Sequence, residues 1–434
     1  MPIRVSIIYP YIASVGISLL KGLGIDVDFL DCPTKNIDRL GFEKLREYDW
    51  IIMEARTPTI KNTYSVAVHL RNQGIKVLLY GDHAMSFPSE ALNYCDVVIS
   101  CGDYDWGVYN FFKNGAETKY QFKFPLCDSL DALPQPDRIE VPYQEYYESW
   151  RHRDNFFWIM SQRGCPYDCT FCAWNRLYWQ NRIRYRSPFN VAMEYDSLYN
   201  LYGQCEVLDD ADCFDTNWGV KFARQLISRT LSHKEIFWAI QTHPNFINSL
   251  EDLRLLHKSG LRLVKLGVES GNQYTLNRIR KSVQIKQIER AIGLLRQADI
   301  QVHANLMVGF PWETRENAYH TIEWIKKCNP NQAQFSMVIP YPWTDLASEC
   351  QSNSYYVLEA KNYDNYDARL PMLRMDGMTS EEVIQLYKDC WSKFYFNPKY
   401  IFNHLRGLRH LEGIKQIYRG YRSIRYGHMR SMGK

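Results

Sequence analysis

The sequence lacks any apolar run long enough to cross a bilayer, which excludes an ordinary membrane-spanning helix. It lacks a strong excess of either charge. Its 52 Lys and Arg stand against 48 Asp and Glu, and the resulting +4 is too small to imply nucleic-acid binding. It has no low-complexity tract and no solenoid-type repeat, which excludes disordered and repeat-array architectures. Residues 1–10 enter a strand pattern directly and do not read as a leader peptide. The twelve cysteines are few for 434 residues, so a disulfide scaffold is not expected, and a reducing cytoplasm is the expected compartment. Nine of them, Cys32, Cys95, Cys101, Cys127, Cys205, Cys213, Cys328, Cys350 and Cys390, stand apart and read as small buried residues. The other three fall within eight residues.

A chain this long is expected to form more than one core. Over residues 1–115, short runs rich in Ile and Val (4–9, 27–30, 50–53, 77–80 and 97–100) alternate with amphipathic stretches such as 14–23 and 63–73. Such βα alternation predicts a doubly wound parallel sheet, whose ligands bind beyond the carboxyl ends of the strands. Residues 116–150, with Leu133-Pro134-Gln135-Pro136, read as a linker. A second alternation follows over 151–345, with strands expected near 156–160, 206–208, 236–240, 263–267, 302–307 and 335–339. Six βα units are too few for an eightfold barrel and suit an open, partial (β/α)6 barrel. Residues 346–434 read as a mostly helical C-terminal region.

Arg163-Gly164-Cys165-Pro166-Tyr167-Asp168-Cys169-Thr170-Phe171-Cys172 follows the first strand of that second half. Thiolates hold zinc and iron–sulfur clusters. A structural zinc ion needs a fourth nearby Cys or His, and residues 173–185 supply none. Three thiolates can hold three corners of a cubane, leaving the fourth iron open. Gly164, Pro166 and Asp168 mark the segment as a loop.

This C-x3-C-x2-C segment, with an aromatic before its last cysteine, resembles the defining motif of the radical S-adenosylmethionine superfamily. The resemblance implies a [4Fe–4S] cluster on Cys165, Cys169 and Cys172, the residues that carry catalysis and metal binding. It also implies reductive cleavage of S-adenosylmethionine to a 5′-deoxyadenosyl radical. Val207-Leu208-Asp209-Asp210 resembles the family's second-strand end, making Asp209 and Asp210 candidates for the ligand's ammonium group. Each could equally be a helix N-cap. Leu266-Gly267-Val268-Glu269-Ser270-Gly271 resembles the fourth-strand end, which implies that Glu269 or Ser270 meets the ribose or methionyl part. Val308-Gly309-Phe310-Pro311-Trp312-Glu313-Thr314 resembles the fifth-strand loop, which puts Gly309 and Phe171 beside the adenine. Arg186 is a candidate for the methionyl carboxylate or a solvated arginine.

The loops after the third, fourth and fifth N-terminal strands resemble those of the cobalamin-binding domain fused to one branch of the superfamily. Thr57, Thr59, Gly81, His83 and Gly102 are the residues this resemblance assigns to the cofactor, with His83 structural or touching its tail. The Asp-x-His-x-x-Gly pattern that ligates cobalt is absent from the first loop, which implies cobalt without a protein histidine. The implied function is a cobalamin-dependent methyltransferase acting on an unactivated carbon of a small molecule or natural-product precursor. The alternative is a cyclisation or rearrangement on the same scaffold, with or without cobalamin. An external donor such as flavodoxin or ferredoxin would supply electrons. Residues 403–434 carry eight Lys and Arg against Glu412, and read as a docked, solvated helix or a surface for peripheral membrane contact.

Overall fold

The computed structural model describes residues 8–31, 42–116, 120–123, 126–229, 235–398 and 400–401. The basic segment 403–434, Cys32 and most of the run 4–9 lie outside the described residues.

β1 (Trp50–Glu54), β2 (Lys76–Tyr80), β3 (Val97–Ile99) and β4 (Tyr120–Phe122) form a parallel sheet in that order. Alternation along β2 and β3 divides the packing between two faces. Val77, Leu79 and Val98 share a cluster with Ile60, Tyr64, Ala67 and Leu70 of the helix Ile60–Asn72. Leu78, Tyr80, Val97 and Ile99 pack with the helices Tyr11–Lys21 and Tyr104–Lys113 on the other. Strands covered on both faces need the near-continuous Val, Leu and Ile runs seen here.

Two expectations are corrected. Residues 27–30 form no strand; Val27 and Phe29 are half-buried against the core, and the Phe29 amide donates to Glu140 at 3.4 Å. The stretch 116–150 is not only a connection, because β4 adds to the sheet beside β3.

The second sheet is built from β5 (Phe156–Ile159), followed by a short antiparallel hairpin of β6 (Gln162–Arg163) and β7 (Arg184–Tyr185). Then come β8 (Cys205–Asp209), β9 (Ile236–Thr242), β10 (Leu261–Glu269), β11 (Gln301–Val308) and β12 (Gln332–Met337). The order β5-β8-β9-β10-β11-β12 is parallel throughout, and β5 and β12 are its two edges, so the barrel is open. Side-chain caps fix the starts of its outer helices: Asp215 accepts from Asn217 N at 2.8 Å, and Ser249 and Thr314 cap theirs in the same way.

One buried ionic network joins the two sheets. Arg163 of β6 reaches Asp103 at 3.0 Å and Asp105 at 2.6 Å, both in the segment after β3. Arg184 of β7 grips the same Asp103 at 2.5 Å and donates to the Cys127 carbonyl at 2.8 Å. The Trp179 ring lies 5.8 Å from the Arg163 guanidinium and 5.5 Å from that of Arg184. Burial alone would raise the pKa of Asp103, but Arg163 and Arg184 overcome it and hold the carboxyl below its usual range. Its stabilising contribution is therefore complete above the unfolded carboxylate pKa and fades as pH falls through the depressed folded value.

Asp105→Ala leaves the buried Arg163 and Arg184 guanidiniums to share the single carboxylate of Asp103. It is expected to lower unfolding free energy by about 3–5 kcal/mol. Arg71→Ala, which breaks the more exposed Arg71–Asp96 pair, should change it by less than about 1 kcal/mol. Urea midpoints of the two variants check this, and similar shifts would contradict it.

Candidate active site

The cysteine loop leaves β6 through Gly164, whose φ is +102°. A Cβ there would sit 1.8 Å from the Arg182 carbonyl oxygen, so this turn requires glycine. The Gly164 amide donates to Asp212 at 2.9 Å. Tyr167 stacks on His243 with ring centres 3.8 Å apart, and Asp168 pairs with Arg280 at 3.3 Å. Thr170 donates its amide to the Ile279 carbonyl and accepts from Leu346 N, each at 3.0 Å. Loops following β8, β9, β10 and β12 thus hold one short segment in place.

Cys165 and Cys172 are partly open and Cys169 is buried. Burial pushes the Cys169 thiol up to about 12, and a hydrogen bond with Cys213, then burial, raises Cys165. Bound iron would therefore be what ionises these thiols. The donor set fits a [4Fe–4S] cluster: three soft thiols on a loop whose backbone is pinned on both sides. Cys213, which reads in the sequence as an ordinary core cysteine, is brought to the motif by the turn after β8. No spacing signal in the sequence could have found it.

Glu269 ends β10 at a register shift and has a φ of +64°, in the left-handed region that a glutamate rarely adopts. Its Oε1 accepts from Lys281 Nζ at 2.8 Å. Arg280 and Ser282, on either side of Lys281, also have positive φ. A Cβ at Gly267 would lie 2.8 Å from Lys281 Nζ and 3.0 Å from Glu269 Oε1, so glycine makes room for the pair. Burial opposes the Lys281 charge, but Glu269 outweighs burial and raises its pKa. Lys281 is thus a buried cation beside Cys169, and sequence reasoning missed it because it follows a helix rather than a strand end. Strain at three non-glycine residues around one ion pair marks this as the built centre of the site.

The remaining candidates divide. Asp209 is corrected: its register with Ile240 turns it to the helical side, where it accepts from Ser161 N at 3.0 Å and Ala211 N at 3.3 Å. Asp210 is the carboxylate on the inner side, 3.4 Å from Gln241, and burial pushes it up to about 7. Ser270 donates to Glu313 at 2.9 Å, and Thr275 to the same oxygen at 2.7 Å, tying the fourth-strand loop to the fifth. Gly309 has a φ of +94°, and Phe171 is half-buried against the core. Arg186 is neither solvated nor free for a ligand, since Glu194 at 2.6 Å and Asn190 at 2.8 Å hold it in the outer layer.

At the first sheet, Thr57 Oγ1 donates to Asp82 at 3.0 Å, and His83 lies between Thr57 and Glu90. A Cβ at Gly81 would meet the Ala55 carbonyl oxygen at 2.8 Å, so chain approach within the domain explains that glycine. Thr57, Gly81 and His83 are thus engaged inside the domain, and for His83 this is the structural role that the sequence allowed. Thr59 is exposed and donates to the Arg56 carbonyl at 3.4 Å; Gly102 has a φ of +79°. At the strand ends Tyr80 stacks on Tyr104 and Tyr178 packs edge-on to Tyr104, all three buried, while Arg56 pairs with Glu54.

Cys165→Ala, Cys169→Ala and Cys172→Ala are each expected to lose cluster iron on reconstitution. Lys281→Met should keep its iron and bind S-adenosylmethionine about tenfold to a hundredfold more weakly, the effect of one lost charge-assisted hydrogen bond. Iron analysis and equilibrium dialysis measure these; full iron in any cysteine variant would overturn the ligand assignment.

Residues 159–325 match the radical SAM superfamily. The chain is 25% identical over 431 residues to an uncharacterized methyltransferase of Pyrococcus horikoshii, covering 93% of this chain and 90% of that protein. It is 28% identical over 422 residues to the anaerobic magnesium-protoporphyrin IX monomethyl ester cyclase of Cereibacter sphaeroides, covering 89% of this chain and 66% of the cyclase. The fold is similar to that of the cobalamin-dependent radical enzyme OxsB (TM-score 0.69, 12% identity, 94% of this chain and 67% of that one). It is also similar to the radical methyltransferase TsrM from Kitasatospora setae (TM-score 0.64, 16% identity, 82% and 75%). No described helix is long and apolar enough to cross a membrane. With the family's cysteine loop, strand ends and open barrel in place, residues 159–325 form a radical SAM domain, a family whose cofactors are a [4Fe–4S] cluster and S-adenosylmethionine, and the parallel N-terminal sheet before the barrel is a fold shared with OxsB.

Proposed function

We propose that this chain is a cobalamin-dependent radical methyltransferase that alkylates an unactivated carbon of a small molecule. The observation that carries the proposal is the pairing of the two sheets across the Asp103–Arg163 network. It sets the ends of β1–β3 against the π-helical turn Asn175–Trp179 that follows the cysteine loop. Similarity along nearly the whole chain to a methyltransferase supports the same reading.

The residues at the strand ends fit a corrin. Trp174 is 44% exposed and packs 4.8 Å from Tyr178, beside the buried stack of Tyr80 and Tyr104, and the Arg56 side chain is 57% exposed beside Glu54. His83 is held by Thr57 and Glu90, so cobalt would be left without it as a ligand. When bound, the cluster supplies the electron that cleaves S-adenosylmethionine, and cobalamin supplies the transferable methyl group. The chain's own part is positional: Glu269, fixed by Lys281, would orient the sulfonium ligand. Cyclisation on the same scaffold is the second reading, favoured by the similarity to the ester cyclase.

The purified, reconstituted chain should retain cobalamin through gel filtration, with no nitrogen superhyperfine splitting in its Co(II) spectrum. With substrate it should release equal amounts of 5′-deoxyadenosine and S-adenosylhomocysteine, one molecule of S-adenosylmethionine serving the radical and one the methyl group. 5′-Deoxyadenosine without S-adenosylhomocysteine would replace methylation by cyclisation or rearrangement.

A further inference from the structure

The inner face of the open barrel is polar in a pattern that, Asp210 apart, the chemistry above does not use. On β9 to β12 the outward residues are buried, while alternate inward ones keep solvent access: Gln241, Lys265, Asn305, Gln332 and Gln334. Strand register sets several in one row. Lys265 pairs with Gln241 on one side and with His303 on the other, His303 pairs with Gln332, and Asp210 closes the row beside Gln241. Lys265 lies four residues before Glu269 on β10, about 13 Å deeper at roughly 3.3 Å per residue. The row therefore lies well below the Glu269–Lys281 pair.

Several groups at this depth lack partners. His303 is 9% exposed, and its Nε2 has no hydrogen bond. Its Nδ1 lies 3.0 Å from Gln332 Oε1, and the tautomer that donates there leaves Nε2 as an acceptor facing the lumen. Burial and the Lys265 charge keep the ring neutral, with its pKa pushed down to about 4. The indole N–H groups of Trp150 and Trp158 are buried and unpaired as well. Lys265 itself has Glu148 at 3.5 Å and the Trp150 ring at 5.2 Å. A buried polar group without a partner is costly, so such a row favours a ligand that completes it.

We infer that this row is a substrate subsite for a zwitterionic, amino-acid-like group, its carboxylate toward Lys265 and its ammonium toward Glu148. The inference rests on the radical-enzyme reading and adds the substrate class to it. A ligand that is only anionic would face Glu148, and one that is only cationic would face Lys265. A flat apolar macrocycle would leave donors and acceptors on every strand unsatisfied. A zwitterion answers both signs, and Trp150 and Phe156 provide an apolar floor, their rings 5.4 Å apart.

The test uses the full chain with its cluster and saturating S-adenosylmethionine, titrated calorimetrically with the twenty protein L-amino acids. The best binder is then compared with its deaminated and decarboxylated analogues and with magnesium-protoporphyrin monomethyl ester. At least one amino acid should bind tenfold or more tightly than either truncated analogue. Lys265→Met should weaken it at least tenfold, and Lys265→Arg should restore part of the loss, at matched iron content. Binding of no amino acid, equal binding of the truncated analogues, preference for the porphyrin, or indifference to Lys265→Met would each overturn the subsite. So would a Lys265→Met loss confined to S-adenosylmethionine affinity, which would give the row to the cofactor. Reductive cleavage of S-adenosylmethionine by the unmodified chain is measured alongside. Its absence would remove the radical-enzyme reading, whereas cleavage without amino-acid binding would remove the subsite alone.

Discussion

The buried contact of Arg163 and Arg184 with Asp103 and Asp105 is the constraint on which the rest of the structure depends. Arg163 immediately precedes the glycine that opens the cysteine loop, and Arg184 stands on the strand that closes the hairpin around it. Both guanidiniums are fixed on carboxylates that follow β3 of the other sheet. Ion pairs so deeply buried add little net stability over apolar packing, because desolvation offsets most of the attraction. Their directional, bidentate geometry fixes orientation instead. Here it sets where the cysteines stand relative to the ends of the first sheet, and any cofactor bound at those ends must share that frame.

A second constraint acts within the barrel. The cysteine loop has little structure of its own, and Gly164, Tyr167, Asp168 and Thr170 each borrow a partner from a different part of the barrel rim. The cost of this arrangement appears at Glu269, Arg280 and Ser282, which hold left-handed backbone to bring one ion pair against the thiols. Strain is tolerated because β10 and β11, paired along most of their length, leave no room to relax. An open barrel also leaves its inner face accessible, and the polar row across β8 to β12 occupies that space.

Much of this was legible in advance. The six barrel strands fall where runs of β-branched and aromatic residues stand between helical stretches, since a parallel strand buried on both sides must be apolar along its length. The three cluster cysteines were legible because their spacing is local. Glu269 was found at a strand end, although its strain and its lysine partner were not. In the N-terminal domain the structure adds partners that the sequence does not name. Thr57, Gly81 and His83 have residue types that suit a cofactor, but they satisfy one another, Asp82, Glu90 and the Ala55 backbone. Residue type alone does not say which partner a side chain finds.

What the sequence by itself determined is what short-range order controls: the βα alternation, the open six-strand barrel and the three-thiol loop. Only the tertiary structure decided between Asp209 and Asp210, because a strand sends adjacent side chains to opposite faces and register alone says which is inner. Only it brought Cys213 to Cys165, Lys281 to Glu269 and Asp103 to Arg163. These partners are separated by 12 to 60 residues, and a contact between them follows from the closure of a sheet, which no local propensity encodes.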